Sequence, residues 1–511
     1  MNFSGAAAGG MPEFLWAVMP KRWMQAIEGH PLLASIFPLV QQSAIYLIGA
    51  ALVGLGNFVL VPLYTRYLSA EEFGVYALAE ISVFVAVTTT QLGLGTTYVR
   101  WYAETEEARH GELLGSCGVA GLVAALAGGS LLVALAGPSG FRWFAAVEQL
   151  RWMLLPVVVF RNLQGLLFCA LQAAQRATAY VTAATARLLF LSGSGIWFVV
   201  LHRRGIAGVV ESWLVGDAVC FAVLLGFCVP GQRLRVRIAA LRPMLKYGAP
   251  LVWSAFMALL LDASGRFFLA NDKSLAEVAR YAVGIKITNI ISMGFLQPFA
   301  SAWGGMVFPI AHRPHAALTY TKMLGYALIA LMLLVAVMIL FGPFLVELFA
   351  GRAYLGAVRL LPWLLLPVAF RLFEYWSSLP LYLTYKTQWI GALATAGVLS
   401  CACLNAVLVP RMGALGAALA WAGALGVNIA LMTVMSRRYY VLPVDWKTLG
   451  FAASLWLLAV AGTRMTVGLR PALGLGMAVA MAAVLATACV WYFRRDVRAT
   501  KILFTEEAYA D

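Results

Sequence analysis

"TRYLSAEEFGVYALAE" (Thr65–Glu80) is a polar turn set between apolar runs, with "IYLIGAALVGLGNFVLVPLY" (Ile45–Tyr64) before it and another oily stretch after Glu80. The turn has a partner. "LSAEEFGVYAL" (Leu68–Leu78) aligns with "KSLAEVARYAV" (Lys273–Val283) at an offset of 205, matching Ser69 with Ser274, Glu72 with Glu277 and Tyr76 with Tyr281. Two further matches keep nearly the same offset. "LPVVVFR" (Leu155–Arg161) pairs with "LPVAFR" (Leu366–Arg371) at 210–211, and "GIAGVVESW" (Gly205–Trp213) with "GALGAALAW" (Gly413–Trp421) at 208. Three matches at nearly constant offset mark a tandem duplication. Each turn also carries the Ser-x-x-Glu spacing of a helix capping box, Ser69 to Glu72 and Ser274 to Glu277, so its first reading is a structural cap.

Composition sets what is duplicated. Of 511 residues, 62% are hydrophobic and 12% charged, about half the charged fraction of a typical soluble domain. Uninterrupted apolar runs such as Leu114–Gly137 and Met323–Gly342 have the ~20 residues needed to cross a ~30 Å hydrocarbon core. The chain reads as an all-α polytopic membrane protein with about fourteen transmembrane helices. Their centres are near Val53, Val87, Ala124, Val159, Leu191, Cys220, Leu259, Met293, Leu334, Pro367, Val398, Leu425, Trp456 and Ala480. The net charge of +15 is topological, not a nucleic-acid signal, because Lys and Arg collect in cytoplasmic loops. With the N-terminus inside, the inner loops hold roughly 20 bases and the outer ones roughly 12, which puts both termini in the cytoplasm. The seven Cys sit in apolar segments without metal-ligand spacing and read as small core residues.

The duplication then divides the chain. Spans one to six and seven to twelve form two copies of one six-helix unit. Six is even, so both copies enter the bilayer in the same sense, a parallel repeat about an axis along the membrane normal. The expected organisation is a cytoplasmic or interfacial leader (1–36), an N-terminal lobe (37–230), a basic inter-lobe linker (231–246) and a C-terminal lobe (247–436). Two extra helices (437–493) and a cytoplasmic tail (494–511) follow. Two such lobes face each other across a cavity that rocking opens to alternate sides.

Ionisable residues within spans are costly and mark cavities or partners. Nine stand out: Glu80, Arg161, Arg187, Asp217, Asp262, Arg266, Lys286, Arg371 and Glu374. Asp262 and Arg266 are spaced i,i+4, and Arg371 and Glu374 i,i+3, so each pair can meet on one helix face. Arg161 and Arg371 occupy equivalent repeat positions and approach the cavity from opposite lobes. A pair of guanidinium groups suits a pyrophosphate, since Arg bonds phosphate oxygens bidentately. Arg187, Lys286 and Arg266 are expected to add to that field, with snorkelling to an interface as the competing reading for the arginines. Asp217 and Glu80, with Asp262 and Glu374, are the candidates for coupling to H⁺ or Na⁺. No nucleotide-binding loop, zinc signature or hydrolytic triad is present in the sequence, so neither catalysis nor a metal or organic cofactor is expected.

"VPLYTRYLSAEEFGVYALAEISV" (Val61–Val83) resembles the first-hairpin signature of polysaccharide-biosynthesis flippases, the O-antigen and exopolysaccharide branch of the multidrug/oligosaccharidyl-lipid/polysaccharide exporter superfamily. "QLGLGTTYVRWYAE" (Gln91–Glu104) is similar to that family's second helix. The resemblance is best over about 37–250. It implies a transporter in the bacterial inner membrane that moves undecaprenyl-diphosphate-linked oligosaccharide from the cytoplasmic to the periplasmic leaflet through a basic cavity; a monomer is expected. It also implies work alongside the pathway's glycosyltransferases and polymerase. The rival readings are a lipid II flippase and a drug or metabolite cation antiporter of the same superfamily. A membrane glycosyltransferase ranks below these, because the interior loops are too short to carry a catalytic segment.

Overall fold

A chain inside hydrocarbon has no water to bond its backbone, so each segment must satisfy its own amides, and an α-helix does this. The computed structural model describes residues 60–136, 145–300, 303, 316–384, 386, 388–466 and 471–507. Every regular element among them is helical. In chain order the α-helices are α1 (Val61–Tyr67), α2 (Ala70–Thr90), α3 (Leu94–Glu104), α4 (His110–Leu135), α5 (Arg151–Ala173), α6 (Ala177–Gly195), α7 (Gly205–Cys228) and α8 (Ile238–Asp272). There follow α9 (Leu275–Ile291), α10 (Ala316–Leu340), α11 (Gly342–Ala350), α12 (Leu361–Leu383), α13 (Gln388–Met412), α14 (Ala414–Ser436), α15 (Trp446–Thr466) and α16 (Pro471–Glu507). Eleven of the described helices are long and apolar enough to cross a membrane, or twelve if the segment Arg352–Arg359 and α12, bent by 55°, is one span. Every predicted centre from Val87 to Ala480 lies in a helix. The one at Val53, and the leader 1–36, fall outside the described residues.

The packing follows the duplication. In the first half α6 packs on α7, α7 on α5 and α5 on α4. In the second half α13 packs on α14, α14 on α12 and α12 on α10. The halves meet where α2 lies against α9 and α8. Of the eleven span-length helices, α2 is accordingly the most buried, at 67%, and α16 the least, at 17%.

The two polar turns explain part of this order. Ser69 caps α2 with a complete box: the Glu72 amide donates to Ser69 Oγ (3.1 Å) and the Ser69 amide to Glu72 Oε2 (2.9 Å). Its other oxygen lies against Gly205 at the start of α7. Ser274 accepts from the Glu277 amide at 3.4 Å. Glu277 does not reach back; its Oε2 accepts the Ala414 amide at 3.2 Å, at the start of α14. In each half the turn's glutamate thus sits at the N-terminus of that half's last helix, where the helix dipole favours negative charge. Gly205 and Gly413, both at φ 57°, supply the left-handed bend before those helices, which a side chain would strain.

The basic segment 231–246 is less of a tether than expected, because it is helical from Ile238 and continuous with α8. The two extra helices are fastened to α10. Lys322 Nζ donates to Asp445 Oδ2 (2.9 Å) and to both oxygens of Asp496 (2.8 and 2.9 Å), while Tyr326 donates to Asp496 Oδ2. Burial raises the Asp445 carboxyl, but hydrogen bonds from Lys322 and Thr448 outweigh it and hold the group below its usual range. A depressed folded pKa contributes stability that is present at neutral pH and lost only as pH falls below about 4. Lys322→Met should therefore destabilise the detergent-solubilised protein by about 1–3 kcal/mol at pH 7. Thermal unfolding should show a lower midpoint, with the gap from the native chain closing in acid.

Candidate substrate cavity

Five of the nine sequence-predicted ionisable residues line one cavity of about 340 Å³ between the halves: Glu80 of α2, Arg161 of α5, Asp262 and Arg266 of α8, and Lys286 of α9. Ile81, Phe84, Leu259, Ile285, Asn289, Met293 and Trp421 complete its wall. The other four stand behind it. Arg187 and Asp217 are buried beneath Arg161, while Arg371 and Glu374 back Asp262.

The pairing explains why arginines are tolerated in α5, α6 and α12. Asp217 bridges two of them: Arg161 Nε donates to Oδ2 and Arg187 Nε to Oδ1, both at 2.7 Å. Gln164 further fixes the site by donating to the Asp217 backbone carbonyl at 2.7 Å. Arg161 is anchored through Nε, which leaves its terminal nitrogens for a ligand, and its guanidinium rests over the Trp213 ring at 4.9 Å. Arg371 is held harder. It donates to both oxygens of Asp262 (2.8 and 3.0 Å) and to Glu374 (3.0 Å). Trp421 Nε1 adds a bond to Asp262 at 3.1 Å.

Two sequence expectations are changed by this geometry. Asp262 pairs with Arg371 across helices and not with Arg266 one turn along its own helix. Arg161 and Arg371 do not form an even pair at the cavity, because Arg371 is engaged by two carboxylates and stands outside the lining. The i,i+3 pair of Arg371 with Glu374 is present.

Lys286 and Glu80 form an ion pair that joins α9 to α2 across the two halves. Tyr76 donates to Glu80 at 3.2 Å, and its ring lies 5.4 Å from the Lys286 ammonium. Arg266 differs from the rest. It is 7% exposed, makes no ion pair among the described residues, and its Nε has no hydrogen-bond partner. A buried guanidinium without a partner is costly in an empty site and is matched by an anion that enters it.

Sequence reasoning missed Trp213, Trp421 and Tyr76 as site residues. Each had already appeared in the repeat alignment, so the signal was there: aromatic residues kept at equivalent positions beside the arginines. Among the described residues no cluster of His, Cys, Asp and Glu is arranged to hold a metal ion.

The model of the family described as "Polysaccharide biosynthesis protein" matches residues 39–313. A comparison with curated proteins by sequence finds no match. Among solved structures, "Lipid II flippase MurJ, inward closed conformation" is similar in fold, with a TM-score of 0.68 and 13% identity over 90% of this chain and 99% of that one. An inward-facing multidrug resistance MATE family transporter of the MOP superfamily has a TM-score of 0.60 and 16% identity over 77% of this chain and 97% of that one.

The cross-half pair yields a direct test. Glu80→Ala strands the Lys286 ammonium in the protein interior and should cost about 3–5 kcal/mol. Removing both charges together, as Glu80→Met with Lys286→Met, should recover most of that loss. Thermal unfolding in detergent reads both effects.

Proposed function

The chain belongs to the polysaccharide biosynthesis protein family, and from that premise we propose that it is a flippase of the multidrug/oligosaccharidyl-lipid/polysaccharide exporter superfamily that moves a diphosphate-linked lipid oligosaccharide between leaflets. Its substrate class is the undecaprenyl-diphosphate-linked oligosaccharide of a bacterial polysaccharide pathway. It works in the inner membrane with both termini cytoplasmic, receiving substrate from glycosyltransferases and passing it to a polymerase.

The observation that carries this reading is Arg266, an unpaired buried guanidinium on the cavity wall beside Arg161 and Lys286. Three cations converging on one space suit the two phosphates of a diphosphate, with Arg supplying paired bonds and Lys a point charge. Cavity size sets a limit. About 340 Å³ is at the low end of small-ligand sites, roughly 300–1,000 Å³, so it admits a charged head portion but not a whole oligosaccharide. The halves must therefore separate to load and release, as alternating access requires.

The Glu80–Lys286 pair links this motion to the substrate. An entering diphosphate competes with Glu80 for Lys286 and so weakens a bond that holds the halves together. Protonation of Glu80 has the same effect, which makes it the leading coupling candidate. Asp217 holds Arg161 in place and is a positioning residue. Lipid II remains the second reading, because that substrate also carries a diphosphate and the flippase named for it shares this fold over 90% of the chain.

The test is translocation in proteoliposomes containing a defined lipid diphosphate oligosaccharide, with lipid II and a monophosphate analogue as separate arms. Arg266→Gln breaks no ion pair and should lower transport roughly 10–100-fold, the equivalent of one charge-assisted bond. Arg266→Lys should retain part of it. Undiminished transport in Arg266→Gln, or equal transport of the monophosphate, refutes the diphosphate role.

A further inference from the structure

Between α7 and α8 the chain reads "GQRLRVRI" (Gly231–Ile238), and residues 232–237 are non-helical and exposed. They do not hang free. The Arg233 carbonyl lies 2.5 Å from where a Cβ on Gly111 would sit, and the Arg235 carbonyl 2.7 Å from the same position on Gly115. The Arg237 amide donates to Ser116 Oγ at 2.8 Å. Four helical residues rise ~6 Å, and two extended residues cover ~6.6 Å. The spacings agree, so the segment lies as an extended strap along the first turns of α4, where two glycines let backbone approach backbone.

In an extended chain successive side chains point to opposite sides. Arg233, Arg235 and Arg237 therefore share one edge and Leu234 and Val236 the other, with Ile238, the first residue of α8, following Val236 as a further exposed apolar side chain. The three apolar residues are 49%, 54% and 77% exposed. Among the described residues none of the three arginines makes an ion pair. A bare apolar row beside an unpaired cationic row is ill suited to water. It is well suited to the boundary of a bilayer, with acyl chains on one side and phosphates on the other. The strap's surroundings lie at that depth. It rests on the start of the Glu107–Leu135 span and follows the end of the Gly205–Cys228 span. Two further exposed bases, Arg242 and Lys246, stand on α8 before its span begins at Val252.

We propose that the strap is a binding edge for anionic phospholipid: Arg233, Arg235 and Arg237 take the headgroup phosphates, while Leu234, Val236 and Ile238 enter the acyl boundary beside them. The strap runs directly into α8, which carries Asp262 and Arg266 to the cavity. Lipid held at the strap therefore anchors one end of a cavity-lining helix, and the anionic lipid content of the membrane bears on how that helix moves.

The test uses the full-length protein in phosphatidylcholine vesicles carrying spin-labelled phosphatidylglycerol or spin-labelled phosphatidylcholine, with the immobilised fraction of each read by electron paramagnetic resonance. The native chain should prefer the anionic lipid. Arg233→Gln/Arg235→Gln/Arg237→Gln should lower that preference about tenfold, roughly twofold per base once salt screens the ~fivefold that each contributes at an anionic surface. The corresponding triple Lys variant should keep most of it. An unchanged preference in a folded, monodisperse triple Gln variant overturns the proposal. So does loss of the preference on adding inorganic phosphate at constant ionic strength, which would mark a free-anion site. If the Gln variant does not fold, high salt on the native chain decides: screening must erase the preference, and its survival overturns the proposal.

Discussion

The constraint on which this structure depends is the cost of charge in hydrocarbon. Each ionisable side chain deep in a span costs about 2.5–3.5 kcal/mol on insertion scales, so nine scattered through separate helices would be prohibitive. They are gathered instead into one belt between the halves. Asp217 neutralises Arg161 and Arg187 together, Asp262 and Glu374 hold Arg371, and Glu80 holds Lys286. Arg266 is the remainder, and it faces the cavity. Five bases against four acids leave the belt with one cation to spare, at the place where a ligand can reach it.

Duplication built this belt, and divergence gave it a direction. Each half presents an arginine and a tryptophan at matching positions, Arg161 with Trp213 and Arg371 with Trp421. The carboxylates do not match: the first half draws Asp217 from α7, while the second draws Asp262 from α8 and Glu374 from α12. The two arginines are consequently unequal. Arg161 is tethered by one nitrogen and keeps donors for a guest, whereas Arg371 is occupied on both terminal nitrogens. A symmetric scaffold thus presents an asymmetric wall, which suits a ligand that enters from one side and leaves by the other.

The remaining elements either join the halves or hold them in the membrane. Helix α2 is the central piece, capped by Ser69, packed on α8 and α9, and bonded through Glu80 to the opposite half. Helix α8, 35 residues long, begins where the strap on α4 ends and runs past the cavity. Helices α15 and α16 attach through Lys322 to α10, and α16 is the least buried of the span-length helices.

The sequence by itself determined the class and the tandem repeat, and it singled out the five ionisable residues that line the cavity. Those follow from local quantities: apolar run length against bilayer thickness, recurrence at a fixed offset, and rare charges in oily segments. Even the turn's role was legible in part, since Ser-x-x-Glu spacing signals a cap; that Glu277 spends its carboxylate on α14 instead was not. What only the tertiary structure decided is which charges meet. Spacing along one helix proposed Asp262 with Arg266, yet Asp262 bonds Arg371 from another helix, and Arg266 is left alone. Partner choice between helices depends on how far each is rotated and how closely it packs. Those quantities arise from the sum of many contacts across the halves, and no stretch of sequence carries them.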